Sequence, residues 1–216
     1  MTELILLGGG GHARSVLAAL AQASIAVRGY LAPAPGPLSA HLAHLGDDDA
    51  LTDFDPAQTQ VVSGLGSAGS TRRRRELFER VSGTGFRFAS VMHPRSFVDP
   101  AAQLGEGVHV LAGAVVNAGA IVGDDVIINS GAIVEHDAVI GSHSHITPGA
   151  VIAGAVRLGD GVHLGLGARV IQGIRIGSES IVGAGAVVIR DVEANSTVVG
   201  VPARLLSAQA QGEEHP

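Results

Sequence analysis

Residues 128–146 read INSGAIVEHDAVIGSHSHI, and three of the chain's ten histidines (His136, His143 and His145) fall within them. Glu135-His136-Asp137 supplies an imidazole between two carboxylates. A histidine beside a carboxylate is the usual apparatus of acid–base catalysis, because the carboxylate orients the ring and stabilises its protonated form. Two other readings fit the same residues. They can be solvated surface groups, or a metal site, since His143 and His145 alternate onto one side of a strand. No third ligand is fixed by spacing, and no metal is expected.

The element that must position these rings is a repeat. Every sixth residue from Val98 to Val188 is Val, Ile or Leu, sixteen positions without an exception. Small or aliphatic residues follow four positions later, as at Ala114, Ala120, Val126, Ala132 and Ala138. Gly105, Gly123, Gly141, Gly159 and Gly177 add a slower period of eighteen. Six residues per face and eighteen per coil predict a triangular prism of short parallel strands, the left-handed parallel β-helix. Coils stacked at about 4.8 Å give a rod of roughly 25 Å. An amphipathic helix or a sandwich would show periods of 3.6 or 2 instead.

In this frame His136 follows the inward Val134 by two, His143 follows Ile140 by three, and His145 precedes Ile146. None takes an inward slot, so the rings are expected to project outward as one polar patch. Gly154 and His163, eighteen residues on, should lie over His136 and His145. The eighteen-spaced glycines are expected to supply turn geometry.

The first ninety residues have a different pattern. ELILLG (3–8), IAVRGYL (25–31) and QVVSGLG (60–66) read as strands, and 13–23 and 70–81 as helices, with an irregular acidic stretch between. The order predicts a small Rossmann-like parallel α/β domain. The expected organisation is 1–91 for this domain, 92–205 for the prism and 206–216 for a disordered tail. Gly8-Gly9-Gly10-Gly11-His12 joins strand to helix, where bare backbone N–H groups and a helix N-terminus suit a phosphate. The acid that would hold a dinucleotide ribose is missing, since Ala32-Pro33 ends the second strand. A mononucleotide or sugar-nucleotide fits better than NAD, and the alternative is a turn that serves only packing. The run Arg72–Arg75 is expected to be a solvated helix face.

Composition narrows the class. Hydrophobic residues make up 46% of 216, with five Phe, one Tyr and no Trp, so aliphatic residues must fill the core. The absence of cysteine excludes thiolate chemistry and disulfides, and the net charge of −6 argues against nucleic acid as partner. No apolar run is long enough to span a membrane, and the cytoplasm is the expected location.

The prism with VEHDAVIGSHSHITPG, ending in TVVGVPAR, resembles the hexapeptide acyltransferases. Together with GGGGHA and the short α/β domain, residues 3–205 resemble the bacterial NeuD/PglD-type sugar acetyltransferases. The resemblance implies a homotrimer with acetyl-CoA as co-substrate in clefts between prisms. It implies His136 as general base, Asp137 as its carboxylate, and His145, Gly154, Leu166 and Ala184 as contacts to the cofactor. Gly10, Gly11 and His12 match the substrate loop, and Asn129 an acceptor-side polar residue. The implied acceptor is a sugar, in the first place a nucleotide-linked amino sugar. Sialic acid-type O-acetylation and a catalytically silent sugar-nucleotide-binding trimer are the alternatives. Weak base and ribose selectivity is expected from Ala32-Pro33.

Overall fold

The computed structural model describes residues 2–206. The expected tail therefore lies almost wholly outside the described residues. The chain begins with a five-stranded parallel sheet of β1 (Glu3–Leu7), β2 (Gly29–Leu31), β3 (His44–Gly46), β4 (Thr59–Ser63) and β5 (Arg87–Phe88), in the order β3-β2-β1-β4-β5. Helix α1 (Gly11–Gln22) covers one face and α2 (Arg72–Ser82) the other. Leu4 and Leu6 pack with Val16 and Leu20 of α1, while Ile5 and Leu7 pack with Leu77 and Val81 of α2. A strand buried on both faces reads as an unbroken apolar run, which is why ELILL shows no alternation.

Two local expectations are corrected. The second strand is only Gly29–Leu31, because Ile25 is bonded back to Leu20 and is 45% exposed. The acidic stretch is not irregular: it forms β3 and a 3₁₀ helix over Asp48–Asp53, capped by the Asp47 side chain.

From Val91 the chain winds as a left-handed parallel β-helix of three sheets with six, five and eight strands. Up to Val188 each strand pairs with the one eighteen residues on, as in Ile128↔Ile146 and Ile146↔Leu164, and in the last coil the spacing falls to sixteen, as in Ile181↔Thr197. The sixth-residue aliphatics fill the interior, and every one from Val110 to Val188 is buried, with the Ala and Val residues four positions on packed beside them. Among the described strands, only the closing one, Arg204–Leu205, pairs antiparallel.

The role of the eighteen-spaced glycines differs from the expectation. None of them has a positive φ; they are glycine because the next coil lies against them. A Cβ on Gly141 would sit 2.4 Å from the Gly159 carbonyl carbon. The left-handed backbone falls instead three residues after each inward aliphatic from Leu104 to Val182, and there it is often not glycine: Asp125, Asp137 and His143 have φ of 54°, 59° and 62°. Three chemistry-bearing side chains thus stand on turn positions that the fold makes costly for them.

The first domain is docked against the rod. Val91 and Leu111 of the rod join the apolar cluster of α1, β1 and β4. Among the described residues no helix is long and apolar enough to cross a membrane.

Candidate active site

His136 stands in the turn that joins the strands Ile133–Val134 and Val139–Ile140. The left-handed backbone at Asp137 brings its carboxylate alongside the preceding ring, with Nδ1 and Oδ2 2.8 Å apart. The hydrogen bond to Asp137 raises the pKa of His136 above its ordinary value, opposed by desolvation and assisted by the charges of Asp137 and Glu135. A carboxylate accepts from Nδ1–H, so Nε2 is the basic nitrogen. It faces Gly154 on the next coil, where a Cβ would lie 2.6 Å from it. Gly154 is therefore the residue that admits this ring. The Gly154 N–H has no acceptor among the described residues and is free to donate to a ligand.

The other histidines occupy a different side of the rod. His109, His145 and His163 lie on one sheet, His109 two coils below His145 and His163 one coil above. As expected, they do not point into the prism core. They do not meet solvent either, because the first domain covers that sheet. His145 is only 4% exposed; its Nδ1 lies 2.6 Å from Ser67 Oγ and its Nε2 3.0 Å from Asn129 Nδ2. His12 Nε2 lies 3.2 Å from His109 Nδ1, with the rings stacked. His163 meets His145 edge-on, with ring centres 5.5 Å apart.

The basic run on α2 is corrected at one residue. Arg74 is fully buried and pairs with Asp125 at 2.7 Å. It also donates to the carbonyls of Asp125, His143 (2.7 Å) and Ser144. Asp125 in turn accepts from His143 Nδ1 at 3.0 Å. Arg72 and Arg75 are on the outer face, each paired along the helix with a glutamate.

Burial first, and then the Arg74 charge, keep the covered rings neutral. His12 is lowered to about 4 and His145 to about 2, and His163 is lowered by the same causes. His109 lies well below the ordinary value, through burial and then its His12 and Arg74 neighbours. A group whose folded pKa is depressed below the unfolded value of about 6.5 takes up protons on unfolding in acid. Stability from these rings is complete above pH 6.5 and is lost as pH falls toward 4. The melting temperature should drop across that window, and replacing His109 by Gln should flatten the drop; an unchanged slope in that variant would refute the assignment.

The residues singled out from sequence thus form two groups. Gly10, Gly11, His12, Asn129 and His145 gather where the first domain meets the rod. Leu166, 58% exposed, and Ala184 lie on the neighbouring edge, in the turns after His163–Leu164 and Ile181–Val182. His136, Asp137 and Gly154 stand on the edge between the other two sheets. The expectation of a single polar patch is corrected: within one chain the dyad and His145 are on opposite sides. Ser67, Arg74, Asp125 and His109 were not foreseen as a group. His109 could have been, since it lies thirty-six residues before His145 on the same ladder. The turn Asp47-Asp48-Asp49, which follows β3, shares a recess with Pro33; there Asp47 caps the 3₁₀ helix and Asp48 pairs with Arg80.

The model described as bacterial transferase hexapeptide (six repeats) matches residues 119–154. No curated protein matches the chain. Among solved structures, PerB from Caulobacter crescentus in complex with CoA and GDP-perosamine is 36% identical, with a TM-score of 0.89 over 96% of this chain and 98% of that one. The acetyltransferase domain of PglB from Neisseria gonorrhoeae, in complex with acetyl coenzyme A, is 33% identical, with a TM-score of 0.89 over 94% and 98%. WeeI from Acinetobacter baumannii, at 22% identity and a TM-score of 0.83, shares the fold. With more than a third of its residues identical to PerB over almost the whole of both chains, this protein belongs to the acetyl-CoA-dependent sugar acetyltransferases of the hexapeptide, left-handed β-helix superfamily.

Proposed function

We propose that the protein transfers acetyl from acetyl-CoA to the amine of a nucleotide-linked amino sugar, working as a homotrimer. The observation that carries the reading is the separation of two half-sites on opposite sides of one rod. The dyad with Gly154 has a base and a free amide on an exposed edge, whereas His145 on the other side is buried and kept neutral. Threefold packing sets one copy's dyad edge against the next copy's Leu166 and Ala184 edge. Rotation about an axis parallel to the rods preserves height, so His136 of one copy reaches the level of His145 in the next. An apolar stripe gives the packing a surface: Phe97, Val115, Ile133, Val151 and Val187 stack on one sheet, interrupted only by Arg169. Phe97 is 51% exposed in the single chain.

In this site His136 Nε2 takes a proton from the acceptor amine as the nitrogen attacks the thioester carbonyl. The Gly154 N–H donates to the developing oxyanion. On collapse the C–S bond breaks, the CoA thiolate leaves, and the imidazolium returns the proton to it. Gly10, Gly11 and His12 at the N-terminus of α1 hold the phosphates of the acceptor. Support for the nucleotide comes from the GDP-perosamine bound to the similar PerB.

A thiol-release assay with acetyl-CoA against UDP-, GDP- and TDP-linked amino sugars and free sialic acids tests this. Turnover confined to the nucleotide-linked amines is expected, whereas turnover confined to free sialic acids would replace the acceptor. Light scattering should find three 21.7-kDa chains per particle. A monomer at micromolar concentration would refute the shared site.

A further inference from the structure

The hydrogen bonds around His145 fix its tautomer, and the tautomer assigns a task to Ser67. The Asn129 side chain cannot be turned over, because its Oδ1 accepts the Ser130 N–H at 2.8 Å. Its Nδ2 must therefore face His145 Nε2, 3.0 Å away, as a donor. A donor on that side requires Nε2 to accept. The ring is buried and neutral, so it has a single N–H, and this must be on Nδ1. It points at Ser67 Oγ, 2.6 Å away. A hydroxyl that already accepts from a fixed N–H turns its own proton elsewhere, and Ser67 Oγ has no other partner among the described residues.

Ser67 stands on the loop after β4, beside the place where a sheet of this order would hold an acceptor. In the order β3-β2-β1-β4-β5 the chain reverses direction across the sheet between β1 and β4, and ligands of such sheets bind at that switch point. The Gly8–His12 turn follows β1 and the Gly64–Ser67 loop follows β4. The two loops touch: a Cβ on Gly64 would lie 2.8 Å from Ala13 Cβ, and one on Gly66 would lie 3.2 Å from His12 Cβ. His12 is anchored at His109, and Ser67 at His145 two coils higher, a rise of about 10 Å. A ligand with its phosphates at the start of α1 thus has its hexose at the level of Ser67, and of the dyad in the neighbouring copy.

We propose that Ser67 is a specificity-determining residue for the acceptor, donating its hydroxyl proton to an oxygen of the sugar ring or its substituents while the Nδ1–H of His145 holds it in that orientation. This assignment rests on the nucleotide-linked amino sugar reading. His145 is then the positioning residue behind Ser67, and its two engaged nitrogens are what aim the serine.

The test uses the full-length protein and the best acceptor from the nucleotide-sugar panel. Ser67→Ala should raise the acceptor KM about tenfold, the scale of one lost hydrogen bond, and leave the acetyl-CoA KM unchanged. Ser67→Thr, which keeps the hydroxyl, should restore most of the loss. Nitrogen-15 spectra of the wild-type histidines should show His145 protonated on Nδ1, a signature that a merely structural serine does not require. An unchanged acceptor KM in Ser67→Ala, an equal rise in both KM values, or an Nε2-protonated His145 would each overturn the assignment and leave the proposed function standing. Absence of turnover with every nucleotide-linked sugar would remove the proposed function and this assignment with it, while the tautomer would still be read from the spectra.

Discussion

Replacing His136 by alanine should lower kcat by about 10²–10⁴-fold, the scale of a lost general base, with the acetyl-CoA KM little changed. The ring is well exposed at the edge of the rod and supports no core, so the loss does not come from unfolding. It would come from the loss of Nε2, the nitrogen of this ring that Asp137 leaves unengaged. Asp137→Asn is the milder change, since it removes the partner and not the base. Its effect has a direction on the pH axis. The Asp137 hydrogen bond raises the His136 pKa, and the base works only when unprotonated. Activity therefore falls as pH drops through that raised value, and Asp137→Asn should move the acidic limb of kcat/KM to lower pH. Near-full activity of His136→Ala on the true acceptor would refute the role, and a limb that stays in place would detach Asp137 from it.

The rod was legible because its rule is strict. From Val98 to Val188 one residue in six faces inward and must be aliphatic, so the sequence states the face of every side chain. What the ladder leaves out is the covering of the outward faces. His145 and Phe97 both occupy the first position of a strand. One is covered by the first domain and the other is half exposed. The placement of the dyad was nonetheless within reach. Val134, Ile140 and Ile146 belong to three successive faces, so a residue between the first two cannot share a side with one just before the third. Closeness along the chain masked that arithmetic. Arg74 carried a signal as well: it stands three and seven residues before Leu77 and Val81, the buried face of α2. Four consecutive arginines hid that periodicity, because charge suggests solvent before spacing is considered. His12, Ser67 and the Asp47–Asp49 turn could not be placed, since the partners of His12 and Ser67 are 97 and 78 residues away and the turn follows a strand of three residues.

Arg74→Met should cost about 3–5 kcal/mol of stability, the loss usual when one partner of a buried ion pair is removed. The Asp125 side chain is only 2% exposed, and without the guanidinium its buried carboxylate is left with His143 as its partner. The carbonyls of His143 and Ser144 lose their donor too. The pair as a whole adds less than its removal costs, since both charges were desolvated to make it. Adding Asp125→Asn to Arg74→Met should therefore recover part of the loss instead of deepening it, a sign that separates an unpaired buried charge from simple loss of packing. Because Arg74 reaches from α2 into the rod, the damage should appear first as faster amide exchange in the first domain, with the stacked coils still protected. It should also soften the acid sensitivity, because Arg74 is one of the charges that hold His12, His145 and His163 neutral. Urea midpoints and exchange rates of the two variants at pH 5 and pH 8 measure all of this. A loss under about 1 kcal/mol for Arg74→Met, or a double variant weaker than the single one, would show that the docking of the two domains depends on their apolar contact and not on this arginine.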